Sequence, residues 1–404
     1  MPLSLSTVAH PWGLVVADVV SASYGRAVAC RAWRLLLVIL TTFAILASCS
    51  SPKTPQSVPT SDKTPMDYQA LEASIENKIA SGSVSLDQVR AVLVSVDGET
   101  KITHYRHGFR AEDTTHIWSV TKSVVSTLIG IAISDGIIDD LDQTLGELLP
   151  KHRSAMSAGV ASVTLRQLMT MSAGFRSDPP YEKVKKIFAS DDDFVTYLLK
   201  YEQVAEAGSQ FMYSNTSSHL VAAVLAAALQ RAKGDHPRSI LGYAREKLFD
   251  PLAIDTRPAF TDPLPDTAAT EFAKAGFGWA TDPQGIPVGA FGLRLRTSDL
   301  LKLGELYLNN GTWHGQQILP AEWIKQVATP SELNPQYGLM WWLYSWNGHD
   351  ILAARGSEGH MITLVPDQKS VTAISSANLQ EYPMDEEALF PLMNETIVPG
   401  LDAR

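Results

Sequence analysis

His116-Ile117-Trp118-Ser119-Val120-Thr121-Lys122-Ser123-Val124-Val125-Ser126-Thr127-Leu128-Ile129-Gly130 sets a hydroxyl and an amine three positions apart at the head of an apolar run. From there Val124, Val125, Leu128, Ile129, Ile131, Ala132 and Ile133 repeat at helical spacing, which predicts a buried helix. Positions i and i+3 share a helix face, so Ser119 and Lys122 lie one above the other in the first turn. The helix N-terminus directs backbone N–H groups toward whatever the serine attacks. This arrangement supports a nucleophile with its base. Ser-x-x-Lys is weak by itself, and Ser50-Ser51-Pro52-Lys53 matches it too. Only the first match heads an apolar helix.

Upstream, Val89 to Val96, the turn Asp97-Gly98-Glu99 and Lys101 to Arg106 read as a β-hairpin. Leu71, Ile75 and Ile79 make Tyr68 to Ala80 a helix. Earlier still, Arg31 and Arg34 precede an apolar run from Leu35 to Leu46, short for a membrane span and about right for the apolar region of a secretory signal. The run ends in Leu46-Ala47-Ser48-Cys49, which resembles a bacterial lipobox. Residues 1–48 are therefore expected to be a lipoprotein-type signal peptide, with Cys49 the lipidated first residue of the mature chain. A plain signal peptide or an uncleaved anchor is the alternative. Residues 49–66, rich in Ser, Pro, Thr and Lys, read as a flexible tether. The expected location is the bacterial cell envelope, with the membrane engaged through the lipid. Cys30 and Cys49 are the only cysteines, so a chain cut at Cys49 has no pair for an internal disulfide.

Of the 404 residues, 45% are hydrophobic and 19% charged, ample for a large core. The net charge is −10, and the leader carries Arg26, Arg31 and Arg34 against Asp18, so the acidic excess falls on the remainder. That argues against a nucleic-acid partner. The histidines show no metal-ligand spacing, and no metal is expected. Asp191-Asp192-Asp193 reads as a helix cap rather than a cation site.

Downstream, Asp135 to Asp142 is a polar turn leading to a short helix near Leu149-Pro150, and Thr164-Leu165-Arg166-Gln167 is a capping box opening a helix that stops at Gly174. Further helices are predicted over Asp193 to Tyr201, Ser217 to Arg231, Ile240 to Phe249 and Ser298 to Asn309. Strand patterning returns over Tyr337 to Tyr344, Ile351 to Arg355, His360 to Val365 and Ser370 to Ser375, and a helix over Met384 to Ile397 closes the chain. The fold class that follows is α+β: an antiparallel sheet built from both ends of the chain and flanked by helices, beside an all-helical second domain. The α/β part is expected over about 67–115 and 311–404, and the helical part over about 140–310. Trp341, Trp342 and Trp346 are either strand core or the wall of an acyl pocket.

Trp118 to Ser123, Asp135 to Pro150, Val163 to Phe175 and Tyr213-Ser214-Asn215 together resemble the serine β-lactamase and penicillin-binding superfamily, in its class C β-lactamase, esterase and 6-aminohexanoate-dimer-hydrolase branch. The resemblance implies a serine acylated at the junction of an α/β and a helical domain, with no cofactor. It implies Ser119 as nucleophile, Lys122 or Tyr213 as its base, Tyr213 also as proton relay, and Asn215 as a residue that orients the lysine or the acyl group. Lys122 accepts a proton only when neutral, which burial and the positive helix end favour. The family's Lys-Thr-Gly is replaced here by Ala354-Arg355-Gly356-Ser357. Gly356 permits close backbone approach, and the Ser357 and Ser119 N–H groups would form the oxyanion hole. His360, and with it Glu358, is a candidate substrate-binding residue. Arg355 should point to the sheet face opposite Ala354, so the carboxylate-holding cation is lost and efficient β-lactam turnover is not expected. The expected function is hydrolysis of a small ester or amide through an acyl-enzyme. The alternatives are a β-lactamase or D-amino-acid peptidase, and a non-catalytic binding lipoprotein.

Overall fold

The computed structural model describes residues 66–82, 86–190, 192–201, 203–264, 270–377 and 388–402. The leader, Cys49 and the tether as far as residue 65, Asp191, and the start of the closing helix at Met384 lie outside the described residues. The strands are β1 (Val89–Val96), β2 (Glu99–Tyr105), β3 (Thr114–His116), β4 (Gly278–Trp279), β5 (Leu293–Arg296), β6 (Thr312–Trp313), β7 (Gln316–Gln317), β8 (Trp342–Trp346), β9 (His349–Gly356), β10 (His360–Val365) and β11 (Ser370–Ser376).

One sheet has the order β2-β1-β11-β10-β9-β8, antiparallel at the pairings whose registers run Ala91 to Tyr105, Val89 to Ser376, Val365 to Ser370, His360 to Gly356 and Trp342 to Ala353. Asp97 and Gly98 both take positive φ, 52° and 78°, as the tight turn between β1 and β2 requires. The first and last long strands are thus neighbours. Helices cover both faces of the sheet. Val120–Ser134 and Thr297–Leu308 lie on one side, in a core that includes Leu93, Ile362 and Val371. Tyr68–Ala80 and the closing helical segment lie on the other, where Leu71, Ile75 and Ile397 pack with Val92 and Val94. A sheet buried on both faces needs apolar residues in consecutive positions. Ala91 to Val96 is accordingly buried throughout.

The Val120–Ser134 helix is buried nearly all round, so its polar side chains need internal partners. Ser123 and Ser126 donate to the carbonyls of Met340 and Leu339 at 2.8 and 2.7 Å, and Thr127 Oγ1 meets Tyr307 Oη at 2.9 Å. Beside it stands Asn215–Arg231, capped by Ser214 Oγ on the Ser217 amide. Asp193 caps Phe194–Lys200 in the same way, as the acid cluster suggested.

Three details correct the sequence expectations. The stretch from 160 to 310, expected to be mostly helical, also contributes β4 and β5, which with β3 form a three-stranded sheet of order β3-β5-β4. The capping box at Thr164 forms, but its helix ends at Met169, because Met171 turns to φ 58° and its carbonyl accepts from Met212. The strand expected from Tyr337, β8, begins at Trp342, since Met340 takes φ 62° and Tyr337, Leu339 and Trp341 are buried in the main core.

Candidate active site

β3 delivers the chain to a tight turn in which Trp118 adopts φ 48°, and Ser119 follows with helical dihedrals at the N-cap of Val120–Ser134. An N-cap serine ordinarily turns its hydroxyl onto the amides of the first turn. Ser119 makes no such bond. Its Oγ instead accepts from Lys122 Nζ at 2.9 Å. Lys122 is only 1% exposed, and it also donates to Asn215 Oδ1 at 2.7 Å and to the Ala290 carbonyl at 2.9 Å. Three donors thus meet three acceptors. Ala290 is presented by a loop anchored on the fully buried pair His219 Nε2 and Asp282 Oδ2 at 3.0 Å, and Gly289 N–H donates to the other imidazole nitrogen.

Behind Asn215 lies a residue that no motif announced. Asn215 Nδ2 donates to Asp178 Oδ1 at 2.7 Å, while Ser177 Oγ donates to Oδ2 at 3.1 Å. Asp178, Asn215, Lys122 and Ser119 form one continuous hydrogen-bonded row. Burial raises the Asp178 carboxyl to about 6, against the pull of its hydrogen bonds and of the Lys122 charge. Tyr213 borders the row, its ring centroid 4.8 Å from Lys122 Nζ and stacked on Trp342 at 5.8 Å. Trp342 therefore flanks the site. Trp341 packs against Tyr307, and Trp346 joins the opposite face with Phe390.

β9 ends against the nucleophile turn. A Cβ built on Gly356 would stand 2.4 Å from the Ile117 carbonyl oxygen and 3.3 Å from the Ser119 nitrogen, so only glycine fits. Ser357 is thereby brought beside Ser119, and neither amide is taken up by another backbone carbonyl among the described residues. Two backbone donors at one place are what an oxyanion needs. Arg355 points the other way, its guanidinium against Trp342, Phe390 and Tyr344 and hydrogen-bonded to the Tyr344 hydroxyl. His360 does not join Ser119. Its side chain is fully buried and lines a separate cavity with His116 and Arg294. The physical reason is register: β10 restarts opposite Gly356 and begins beneath β3.

Glu358, in the turn between β9 and β10 with φ 63°, accepts from Trp118 Nε1 at 3.0 Å and is 7% exposed. Burial raises its carboxyl to about 7. Such a group favours the fold below its ordinary value of 4.5 and loses that contribution as pH rises through 7. Glu358→Gln keeps an acceptor for Trp118 and cannot ionise. Its melting temperature should therefore exceed that of the parent at pH 8, by an amount of order 2–3 kcal/mol in stability, and match it near pH 4.5. A gain of equal size at both pH values would remove Glu358 ionisation as the cause.

A family model described as Beta-lactamase matches residues 87–395. Among solved structures, a protein described as a 6-aminohexanoate-dimer hydrolase from Bacillus anthracis is 19% identical, with TM-score 0.60 over 78% of this chain and 79% of that one. EstCE1, described as a hydrolase with promiscuous acyltransferase activity, is 18% identical, with TM-score 0.60 over 83% and 98%. A D-stereospecific amidohydrolase from Streptomyces is 17% identical, with TM-score 0.59 over 82% and 99%. No curated protein matches the sequence. These neighbours share the fold described above, and with most of its length matching one family model the chain belongs to the β-lactamase family.

Proposed function

We propose that the protein is a serine acyl hydrolase acting on small esters or amides, a reading carried by the contact of buried Lys122 Nζ with Ser119 Oγ at 2.9 Å. Neighbours named as a hydrolase with promiscuous acyltransferase activity, a D-stereospecific amidohydrolase and a 6-aminohexanoate-dimer hydrolase support the reaction class. The ammonium of Lys122 donates to Ser119, Asn215 and Ala290. Deprotonated, the amine retains the latter two and turns its lone pair toward the Ser119 hydroxyl, which makes it the base that frees Oγ to attack. The carbonyl oxygen of the substrate becomes an oxyanion against the Ser119 and Ser357 N–H groups. Tyr213, beside Lys122, gives its hydroxyl proton to the leaving alcohol or amine and is reprotonated by Lys122; in deacylation it takes a proton from the attacking water while returning its own to Lys122, which protonates the departing Ser119 Oγ. Asn215 and Asp178 fix the lysine.

Arg355 is held by the Tyr344 hydroxyl and by the rings of Trp342, Tyr344 and Phe390, and this engagement supports weak turnover of β-lactams. Lipid anchoring at Cys49 in the cell envelope is proposed on the lipobox alone. One experiment addresses these points: the full chain is expressed in a bacterial host, treated with a fluorescent fluorophosphonate, partitioned in detergent, and assayed on p-nitrophenyl butyrate and nitrocefin. Labelling should accompany ester turnover, with kcat/KM for nitrocefin at least about 100-fold lower than for the ester. Cys49→Ser should move the labelled protein out of the detergent phase. A folded protein that neither labels nor turns over is a binding protein on this fold, and nitrocefin turnover matching the ester reverses the substrate assignment.

A further inference from the structure

Under β3, away from the Ser119 row, lies a second cavity of about 460 Å³ lined by Arg90, His107, Asp113, His116, Arg294 and His360, with Phe109 and Ala273 as its apolar wall. Its lining sets two arginines and three histidines against one carboxylate, with the hydroxyls of Thr114, Thr115 and Ser376 able to donate or accept. Arg294 is 8% exposed, lies over the Phe272 ring at 5.5 Å and forms no ion pair among the described residues. Its Nε donates to the Ala275 carbonyl at 3.3 Å and its Nη2 to the Thr114 carbonyl and hydroxyl at 2.7 and 3.3 Å, which leaves Nη1 with no acceptor among the described residues. Arg90, at the same cavity, donates to the carbonyls of Asp87 and Val89 and to the Gln88 amide oxygen among the described residues.

Of the two buried imidazoles, His116 adds an unpaired donor among the described residues. His116 Nε2 accepts from the Gly292 amide at 2.9 Å, so the neutral ring carries its proton on Nδ1, and that atom has no partner among the described residues. His360 Nδ1 meets Thr115 Oγ1 at 3.5 Å, and its Nε2 has none. Burial depresses both histidines, with His360 pushed down to about 3, so neither adds charge. Arg294 is lowered only to about 10 and remains a cation at neutral pH. The one carboxylate in the lining, Asp113, is already engaged by the backbone N–H and guanidinium of Arg110. A buried cation without a counter-ion is costly, and the group that relieves it must bring negative oxygen.

We propose that this cavity is a binding site for a small organic oxyanion, a carboxylate or phosphate head on a short apolar body, with Arg294 as its fixed partner and Arg90 beside it. The head sits on the open edge of the Arg294 guanidinium, and the body lies against Phe109 and Ala273. The site is distinct from the Ser119 row and does not depend on what that row catalyses. It touches that row indirectly, because His116 stacks on Trp118 at 4.2 Å and Trp118 immediately precedes Ser119.

The test is calorimetric titration of the full chain with sodium butyrate and, separately, with sodium phosphate, at constant ionic strength and with chloride as control. Arg294→Met, Arg294→Lys and Arg90→Gln are titrated in parallel, and Arg296→Met serves as a control arginine on the same strand outside the cavity. Saturable binding of at least one probe is expected, weakened at least 10-fold in Arg294→Met, several-fold in Arg294→Lys and Arg90→Gln, and unchanged in Arg296→Met. Arg294→Lys keeps the charge and a donor for Thr114, so it gives the answer if the methionine variant does not fold. Butyrate binding alone identifies a carboxylate ligand and phosphate binding alone a phosphorylated one. No binding beyond chloride, or equal affinity in Arg294→Lys, Arg90→Gln and the parent, overturns the proposal.

Discussion

Ser119→Ala should lower kcat/KM on p-nitrophenyl butyrate by about 10⁴-fold or more and abolish fluorophosphonate labelling, with little change in melting temperature. Of the acceptors named for Lys122, Ser119 Oγ is the nucleophile, the others being an amide oxygen and a backbone carbonyl. Its removal leaves the buried lysine two of its three partners, so the fold should tolerate the change. Lys122→Met should cost a similar factor for a different reason: the hydroxyl stays but loses its proton acceptor. Because the two groups act as a unit, the double variant should be no slower than the worse single one. A Ser119→Ala enzyme that keeps a tenth of its turnover would remove Ser119 from the mechanism.

Gly356→Ala is the second change expected to act strongly, and it introduces no new chemistry. The added Cβ stands 2.4 Å from a backbone oxygen of the nucleophile turn, and backbone cannot swing aside as the end of a side chain can. Either β9 or the Ile117-Trp118-Ser119 turn must move, and each carries one N–H of the candidate oxyanion pair. Loss of one such donor lowers kcat by roughly 10²–10³-fold. KM should change little, because the ground-state carbonyl is held less tightly than the oxyanion. The melting temperature should fall by several degrees. A variant with parental kcat would show that the close approach of these two segments is not needed for turnover.

Much of this arrangement was legible in the sequence. The Val120–Ser134 helix, the Asp97-Gly98 hairpin and the strand from His360 to Val365 all follow from local periodicity and turn chemistry. Ser119 and Lys122 meet because helical spacing alone places them together. What was not legible depends on distant partners. Asp178 sits in a loop, Ser177-Asp178-Pro179-Pro180, with no periodicity, and its importance arises only when Asn215 reaches it. Glu358 was visible beside Gly356, but its burial against Trp118 is a product of the β9–β10 turn. Strands of two to four residues, such as β4 and β5, are too short to show an alternation. His360 reads as a pocket residue by its nearness to Ser357 in sequence, and the turn between them carries it to the other cavity instead.

The pairing of Val89 with Ser376 has a consequence for how the molecule is made. Synthesis proceeds from the N-terminus, so β1 and β2 emerge early as a lone hairpin, which is marginal in water. Their other neighbour, β11, is among the last segments to appear. Until then the apolar faces of β1 have no finished sheet to join, and the nucleophile helix has only part of its surroundings. Closure over so long a stretch of chain is slow. A ribosome-bound chain stalled before Ser370 should therefore be protease-sensitive throughout, and the row from Asp178 to Ser119 becomes competent only when nearly the whole polypeptide is free to fold.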